Sequence, residues 1–287
     1  MSSSIKIIEC PRDAMQGMTE FIPTADKITY INSLLKCGFD TIDFGSFVSP
    51  KAIPQMRDTA SVLKGLELNN STKLLAIVAN ERGAKEALEF DEINCIGFPF
   101  SISEQFQQRN TNSSIADAFD TVERIQALCA NKGKELVVYL SMGFGNPYGE
   151  EWSPILALTW AEKLVNKLGI TTLALSDTIG CASAENVRGL FELFSQELPS
   201  TELGAHFHVK PNHSYSLLDA AFGAGCRRFD VAFKGMGGCP MAKDDLTGNL
   251  GTEELLKWMA LNNIDNTLDK HSFSLAEIEA RRLFGMN

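Results

Sequence analysis

The chain has 287 residues, and its 36 acidic side chains outnumber its 26 lysines and arginines, which gives a formal net charge of −10. A general nucleic-acid binder needs a basic surface to displace counterions from phosphates, so this balance argues against that class of protein. Apolar residues make up 44 % of the chain and charged residues 22 %. Both values are close to the globular average, which excludes a disordered or collagen-like protein.

The longest apolar runs, at residues 74–79 and 136–140, are far shorter than the ~20 residues that cross a bilayer. The first residues enter a strand-like run without the basic, apolar and small-residue regions of a signal peptide. We therefore expect a cytoplasmic protein with no membrane partner. The seven cysteines are spread thinly and form no CxxC pair, which favours reduced thiols and disfavours a thiolate zinc site.

Short β-type runs alternate with helical patterns along the chain, which is the order expected of βαβ units around a parallel sheet. The predicted strands are residues 5–9, 41–44, 73–78, 93–99, 136–142, 172–176, 203–208 and 228–233. Apolar residues at steps of three and four predict helices between them. These helices are residues 25–36, 115–131, 154–168, 184–196 and 214–224.

Eight strands can close an α/β barrel. The competing architecture is an open doubly wound sheet, which usually carries a glycine-rich phosphate turn after its first strand. Here residues 9–13 read ECPRD and contain no glycine. We therefore predict a (β/α)8 TIM barrel of the α/β class, as a single catalytic domain over residues 1–287. Long loops are predicted after strands one, four and eight, at residues 11–23, 100–114 and 234–251.

Two histidines mark the predicted seventh strand. His206 and His208 are two residues apart, so alternation along a strand places both imidazoles on the same face. Two neutral imidazoles near the rim of a barrel suit a divalent metal. A pair of hydrogen-bonded core histidines explains the same pattern equally well.

Two further residues are candidates for the same site. Asp13 follows the first strand, and barrel geometry brings strands one and seven to a common rim, where the active sites of such barrels lie. Asn249 could add a neutral amide oxygen. Oxygen and nitrogen donors without a thiolate favour Mg²⁺ or Mn²⁺ over structural zinc. The alternatives are a surface ion pair of Arg12 with Asp13, and a turn role for Asn249 between its two glycines.

The loop at residues 234–251 combines flexible glycines with one reactive side chain, Cys239, as a mobile active-site lid would. A nearby cation or metal would lower the pKa of such a thiol and let it transfer a proton. The alternative is that Cys239 is a small apolar plug in a tight turn.

Taken together, these motifs resemble those of the hydroxymethylglutaryl-CoA lyase family, in the metal-dependent aldol and Claisen lyase superfamily of TIM barrels. The matching segments keep the family's order over nearly the whole chain. They are PRD at 11–13, SFVSPK at 46–51, PQM at 54–56, DTIG at 177–180, HFH at 206–208, GGCP at 237–240 and GNL at 248–250.

The resemblance implies a role for each matching side chain. The implied ligands of Mg²⁺ or Mn²⁺ are Asp13, His206, His208 and Asn249. Arg12 would face the developing enolate, and Cys239 would be catalytic. The base that takes the substrate's hydroxyl proton stays open between His206, Asp13 and a bound water. The residues expected to bind or orient substrate are Gln16, Asp43, Ser46 and Asp177, for which ordinary hydrogen bonding at the rim is the alternative.

The implied reaction is cleavage of 3-hydroxy-3-methylglutaryl-CoA to acetoacetate and acetyl-CoA. The resemblance also implies a homodimer and a place in leucine degradation. A related barrel acting on another hydroxyacyl-CoA, or running the condensation, is the nearest alternative. The chain departs from the family pattern at the substrate rim, for instance at Asp43 and Asn146, so we expect differences in acyl-chain specificity before differences in reaction type.

Two alternatives belong to other classes of protein. Two histidines and one carboxylate also describe the iron site of non-haem oxygenases, which would consume oxygen with Fe²⁺ and would not need Arg12 or Cys239. A binding or scaffold protein on a disabled barrel would bind metal without turning over any acyl-CoA.

Overall fold

The computed structural model describes residues 4–210, 212–238 and 247–286. Its parallel strands pair in chain order and close into a barrel, since the last strand pairs with the first. The strands are β1 (Lys6–Glu9), β2 (Thr41–Ser46), β3 (Lys73–Ile77), β4 (Cys95–Ser101), β5 (Glu135–Ser141), β6 (Thr172–Asp177), β7 (Glu202–Phe207) and β8 (Arg228–Val231). The predicted (β/α)8 fold is confirmed, and each predicted strand overlaps one of these.

Helices surround the barrel or, like the first of them, lie at its carboxyl-terminal rim. They are α1 (Pro11–Gln16), α2 (Thr24–Leu35), α3 (Thr59–Lys64), α4 (Glu81–Ala87), α5 (Glu104–Thr111), α6 (Ile115–Asn131), α7 (Pro154–Glu162), α8 (Ala184–Glu197), α9 (Ser214–Gly223), α10 (Thr252–Leu261) and α11 (Lys270–Phe284). A π-helical segment, Lys163–Lys167, continues α7. None of the described helices is both long and apolar enough to span a membrane.

Serine residues cap the amino-terminal ends of four consecutive helices. Each accepts a hydrogen bond on its side chain from a backbone N–H of the first turn, which satisfies one of the free donors there. The caps of α5, α6, α7 and α8 are Ser103, Ser114, Ser153 and Ser183. These local signals fix where the helices start.

The predicted loops 11–23 and 100–114 were wrong in part, because each contains a helix. In α1, five successive residues from Pro11 to Met15 are buried, so the sequence shows no polar face and no helical period. The helix α5 is strongly polar and buries only Phe106 and Gln107. The helices α3 and α4 are shorter than the window in which a period can be recognised, and α10 and α11 lie beyond the last predicted strand.

The barrel encloses two different environments. An apolar cluster fills its β3–β6 side and consists of Leu75, Ile77, Cys95, Val137, Tyr139 and Ala174. The β8, β1 and β2 side holds buried charged groups. Strand alternation places Asp43 and Asp230 inside, because Ile42 and Phe229 beside them belong to the outer core. These two carboxylates contact Arg12 and His206, which lie at the carboxyl-terminal rim.

Candidate metal and substrate site

Three of the proposed ligands meet at the carboxyl-terminal rim. The end of β1 leads directly into α1, which carries Asp13, and β7 carries His206 and ends just before His208. Asp13, His206 and His208 each offer one ligand atom, and these atoms lie within 4.8 Å of one another. An isolated bridge joins His208 to Asn249. The closed barrel thus brings residues from both ends of the chain to one place.

The two imidazoles are oriented by their Nδ1 atoms. His208 Nδ1 lies 2.9 Å from the carbonyl oxygen of Thr178, and His206 Nδ1 lies 3.2 Å from Asp230 Oδ2. Carbonyl and carboxylate oxygens accept hydrogen bonds, so each Nδ1 carries a proton, and each Nε2 has a free lone pair when its ring is neutral. Metal-ligating histidines are held in this way. Burial opposes protonation of His206, but Asp230 and Asp13 raise its pKa above the ordinary value, so a metal competes with a proton for Nε2 of His206.

The charges of the three groups fit a divalent cation. Burial, and then the nearby His206, lower the pKa of His208 to about 4, so its ring is neutral at pH 7. Burial alone would raise the pKa of Asp13, but Arg12 and the two histidines hold it below its ordinary value. An ionised carboxylate beside imidazole lone pairs is a donor set that binds Mg²⁺ or Mn²⁺, and Mn²⁺ accepts the nitrogen ligands more readily.

Asn249 lies against the cluster but presents its amide nitrogen. Asn249 Nδ2 is 2.8 Å from Asp13 Oδ2 and 2.8 Å from the carbonyl oxygen of Met236. To ligate a metal, Asn249 would have to turn Oδ1 toward Asp13. A Cβ at Gly237 would lie 2.6 Å from the Asp13 carbonyl oxygen and 2.7 Å from Asn249 Nδ2. Only glycine therefore allows this loop to pack so closely on Asp13.

Arg12 is a buried cation with a fixed geometry. Its Nε donates to the Asp43 carboxylate at 3.0 Å, and its Nη2 donates to the same group. Its Nη1 donates to Asp13 Oδ1 at 3.1 Å and to Gln16 Oε1 at 3.0 Å. Burial raises the pKa of Asp43 to about 6, although Arg12 opposes the shift. Asp43 is therefore ionised at pH 7 and positions Arg12.

The predicted substrate residues lie in two different places. Gln16 and Ser46 line the cavity described below. Gln16 Nε2 also donates to Asp13, and Ser46 Oγ donates to the carbonyl oxygen of Ile77. Asp177 is instead directed at the turn after β6, where its carboxylate accepts from the backbone of Cys181 at 3.0 Å and Ala182 at 2.9 Å. The predicted catalytic Cys239 lies outside the described residues.

The contacts of Asp177 predict a structural effect on mutation. Replacing Asp177 with alanine would remove the charged acceptor of two partly buried backbone N–H groups, so we expect the free energy of unfolding to fall by about 1–3 kcal/mol. Asp177→Asn keeps one acceptor oxygen and should lose less. Chemical denaturation of both variants measures the difference. If Asp177→Ala were as stable as the parent chain, these two hydrogen bonds would contribute nothing to stability.

A cavity of about 400 Å³ opens beside the three ligands, which is within the usual size range of small-molecule sites. Part of its wall is apolar and includes Val48, Ile53, Ile77 and Phe106. Arg109 also lines it and lies 4.8 Å from the centre of the Tyr148 ring. Sequence analysis did not single out Phe106 or Arg109, because a 3.6-residue period does not mark α5.

Both ends of the loop at residues 234–251 are tied to one buried carboxylate. Glu9 Oε1 accepts from the backbone of Phe233 at 3.0 Å, and Glu9 Oε2 accepts from Thr252 Oγ1 at 2.6 Å. Lys234 is paired with Glu253 at 3.1 Å and with Glu277 at 2.6 Å. The base of the loop is thus held in place beside Asn249.

The fold and the site together define a class: α/β-barrel proteins whose site lies at the carboxyl-terminal ends of the strands. A family model described as HMGL-like matches residues 5–279, and the chain therefore belongs to the HMGL-like family.

Its relatives include two curated bacterial proteins. The 3-hydroxy-3-isohexenylglutaryl-CoA/hydroxy-methylglutaryl-CoA lyase of Pseudomonas aeruginosa is 31% identical over 273 residues, which cover 95% of this chain and 90% of that protein. The hydroxymethylglutaryl-CoA lyase YngG of Bacillus subtilis is 33% identical over 246 residues, which cover 86% and 81%. An HMG-CoA lyase from Acinetobacter baumannii, solved with coenzyme A and 3-methylmalate, superposes with a TM-score of 0.92 at 30% identity, covering 100% of this chain and 94% of that one.

Proposed function

We propose that this chain is a carbon–carbon lyase that cleaves 3-hydroxy-3-methylglutaryl-CoA to acetoacetate and acetyl-CoA, using Mg²⁺ or Mn²⁺. The observation that carries the proposal is the meeting of Asp13, His206 and His208 beside the fixed cation of Arg12. A site of this kind can bind a hydroxy acid and stabilise the negative charge that forms when the carbon–carbon bond breaks.

Asp13, His206 and His208 would hold the metal, with Asn249 as a fourth ligand once its amide oxygen faces Asp13. When bound, the ion supplies Lewis acidity toward the substrate's hydroxyl and carboxylate oxygens. His206 can serve as a ligand through Nε2 or accept the hydroxyl proton at that atom, but it cannot do both at once. Asp230 on Nδ1 stabilises the imidazolium in the second case. Asp13 is the other candidate base in the protein.

Arg12 is assigned to the enolate oxygen of the departing acetyl-CoA fragment. Its guanidinium lines the cavity, and Asp43 and Gln16 hold it in one orientation. A donor that is fixed before the reaction needs no reorganisation when the charge develops. We assign Cys239, in the predicted active-site loop at about 234–251, to protonation of the enolate carbon or closure of the site.

The remaining assignments complete the proposal. Substrate binding also involves Gln16 and Ser46. Asp43 contributes to it by positioning Arg12, and Asp177 contributes by shaping the rim. We further propose that residues 1–287 form one catalytic domain, that two copies form a homodimer, and that the enzyme acts in the cytoplasm in leucine degradation. The net charge of −10 agrees with the expected lack of a nucleic-acid partner.

A second substrate is worth testing because the cavity has an apolar wall. Val48, Ile53 and Phe106 could contact an alkyl group longer than methyl on the substrate's third carbon. The relative from Pseudomonas aeruginosa carries the name of such a substrate, 3-hydroxy-3-isohexenylglutaryl-CoA. Both thioesters therefore belong in one assay.

The decisive experiment incubates the purified protein and Mn²⁺ with a panel of 3-hydroxyacyl-CoA thioesters and measures acetyl-CoA release. We expect acetyl-CoA and acetoacetate in equal amounts from 3-hydroxy-3-methylglutaryl-CoA, and strong losses in Arg12→Lys and Cys239→Ser. No acetyl-CoA from that thioester would overturn the specific assignment, and cleavage of another member of the panel would name the substrate. Oxygen uptake with Fe²⁺ would instead indicate an oxygenase.

A further inference from the structure

Only one of the two oxygens of the carboxylate that orients His206 has a hydrogen-bond partner among the described residues. Asp230 Oδ2 contacts His206 Nδ1 at 3.2 Å. Asp230 Oδ1 has no hydrogen-bond partner among the described residues, although the side chain is buried. Asp230 lies on β8 directly opposite His206 on β7 in the strand register. A group that holds Oδ1 would therefore fix the direction in which His206 points its Nε2.

A buried arginine lies on the same inner face of β8. Arg228 precedes Asp230 by two residues, so alternation places both side chains inside the barrel. Arg228 is 5% exposed, and its Nε and Nη2 have no partner in the part of the chain that the structure describes. A Cβ on Gly204 would lie 2.9 Å from Arg228 Cδ. The missing side chain of Gly204 therefore allows the arginine to cross over β7.

The hydroxyl of a tyrosine on β5, on the other side of the barrel, is a second buried polar group of this kind. Tyr139 presents its ring edge-on to His206, with the ring centres 5.5 Å apart. Its hydroxyl is buried and lacks a partner within the described ranges. The strand register places Tyr139, Ala174, Gly204 and Arg228 in one layer. Ala174 and Gly204, which lie between them in this layer, contribute only a methyl group and a hydrogen.

The charges near Arg228 single out Asp230. Burial alone would lower the pKa of Arg228, but nearby acidic groups raise it overall. Asp230 makes the largest contribution to this rise, and smaller ones come from Tyr139, Glu202 and Glu135. Glu202 already pairs with Lys6 at 2.7 Å, and Glu135 pairs with Lys73 at 3.2 Å. The acid near Arg228 without a lysine partner among the described residues is therefore Asp230.

Buried polar groups in proteins are almost always hydrogen-bonded, and ordered water serves them where no side chain reaches. Arg228 offers three N–H groups on two nitrogens, Nε and Nη2, that have no partner among the described residues, Tyr139 offers one O–H, and Asp230 Oδ1 accepts. We propose that Arg228 and Tyr139 bind a small cluster of water inside the barrel that holds Asp230 Oδ1, and that they thereby position His206 for the metal. Arg228 and Tyr139 are then positioning residues, and their role rests on the proposed metal site.

The test measures Mn²⁺ affinity of the metal-free protein, by electron paramagnetic resonance of free Mn²⁺. Groups behind a metal ligand typically change metal affinity by about 10–100-fold, so we expect Arg228→Met to raise the Kd for Mn²⁺ at least about tenfold. Arg228→Lys keeps the charge and should restore part of the affinity. Tyr139→Phe keeps the ring contact with His206 and should raise Kd by a smaller factor.

Arg227→Met is the matched control. The neighbouring Arg227 donates to the carbonyl oxygens of Phe222 and Cys226 and packs on the Phe222 ring at 3.8 Å, outside the barrel. The Kd of the Arg227→Met variant for Mn²⁺ should equal that of the parent chain. A general loss of stability would lower Mn²⁺ binding in both arginine variants, whereas the proposed role affects Arg228→Met alone.

The ring tautomer of His206 gives a second readout that a merely structural role would not change. At a pH high enough to keep the ring neutral, ¹⁵N chemical shifts of the parent protein should show the proton on Nδ1, and Arg228→Met should show a mixture of tautomers. A folded Arg228→Met with unchanged Kd and tautomer would overturn the proposal. If that variant does not fold, unchanged values in Tyr139→Phe overturn it instead. Both readouts are independent of turnover, so a negative lyase assay would count against the proposed function only.

Discussion

Replacing Arg12 with methionine is expected to lower kcat for acetyl-CoA release by about 10²–10³-fold, the usual loss when one fixed donor to a developing oxyanion is removed. Methionine is similar in length and apolar, so it fills the space without replacing the charge. Because the enolate exists only during the reaction, KM should change little. Steady-state kinetics with saturating Mn²⁺ measures both constants.

Arg12→Lys separates charge from geometry. Lysine keeps a positive charge, but it cannot form the forked contact with Asp43 or reach Asp13 and Gln16 at the same time. We therefore expect a loss between that of methionine and that of the parent chain. Asp43→Asn should act in the same direction, because it loosens the guanidinium while leaving Arg12 in place.

Two outcomes would contradict this role for Arg12. An unchanged kcat in Arg12→Met would remove Arg12 from the reacting atoms. A loss of Mn²⁺ affinity in parallel with kcat would show that Arg12 acts through Asp13, with which it shares a hydrogen bond of 3.1 Å. Arg57→Met is the matched control, since Arg57 stacks on the Phe21 ring at 3.6 Å and contacts none of the proposed ligands.

The barrel could be predicted because its strands and five of its helices, α2 and α6 to α9, depend on local sequence pattern. The helix α6, for example, begins and ends at the predicted residues, 115 and 131. The helix α1 could not be predicted, because it is packed between the rim and the loop and buries nearly every side chain. A period requires a solvent-exposed face, and α1 has almost none.

The meeting of the proposed ligands could be predicted from the sequence, because a closed barrel of parallel strands places all carboxyl-terminal strand ends on one rim. Their orientation could not be predicted. The pairing of His206 with Asp230 depends on the register between β7 and β8, and the contact of His208 with Thr178 depends on the path of the turn after β6. Arg12 and Asp43 lie 31 positions apart, and nothing in either segment alone indicates that they pair.

Removing the metal, or its anionic ligand Asp13, should lower acetyl-CoA release more than any other single change. We expect a chelator to abolish acetyl-CoA release and Mn²⁺ or Mg²⁺ to restore it. Asp13→Asn should raise the Kd for Mn²⁺ by more than about 10²-fold, because 10²-fold is the upper range for groups that lie only behind a ligand. Asp13 is the one carboxylate in this trio of ligands, so a neutral amide would leave the two positive charges of the ion uncompensated.

The matched control for that substitution is Asp117→Asn, which changes an exposed carboxylate on α6 and should leave Mn²⁺ affinity and turnover unaltered. Asparagine at position 13 keeps one acceptor oxygen for Arg12. Asn249, which donates to the other oxygen of Asp13, can turn its own Oδ1 to accept from the new amide nitrogen, so the fold should survive. Near-ultraviolet circular dichroism of the apoprotein checks this. Parent-like Mn²⁺ binding by Asp13→Asn would mean that the ion binds elsewhere, and the assignments of His206, His208 and Asn249 as its ligands would fail with it.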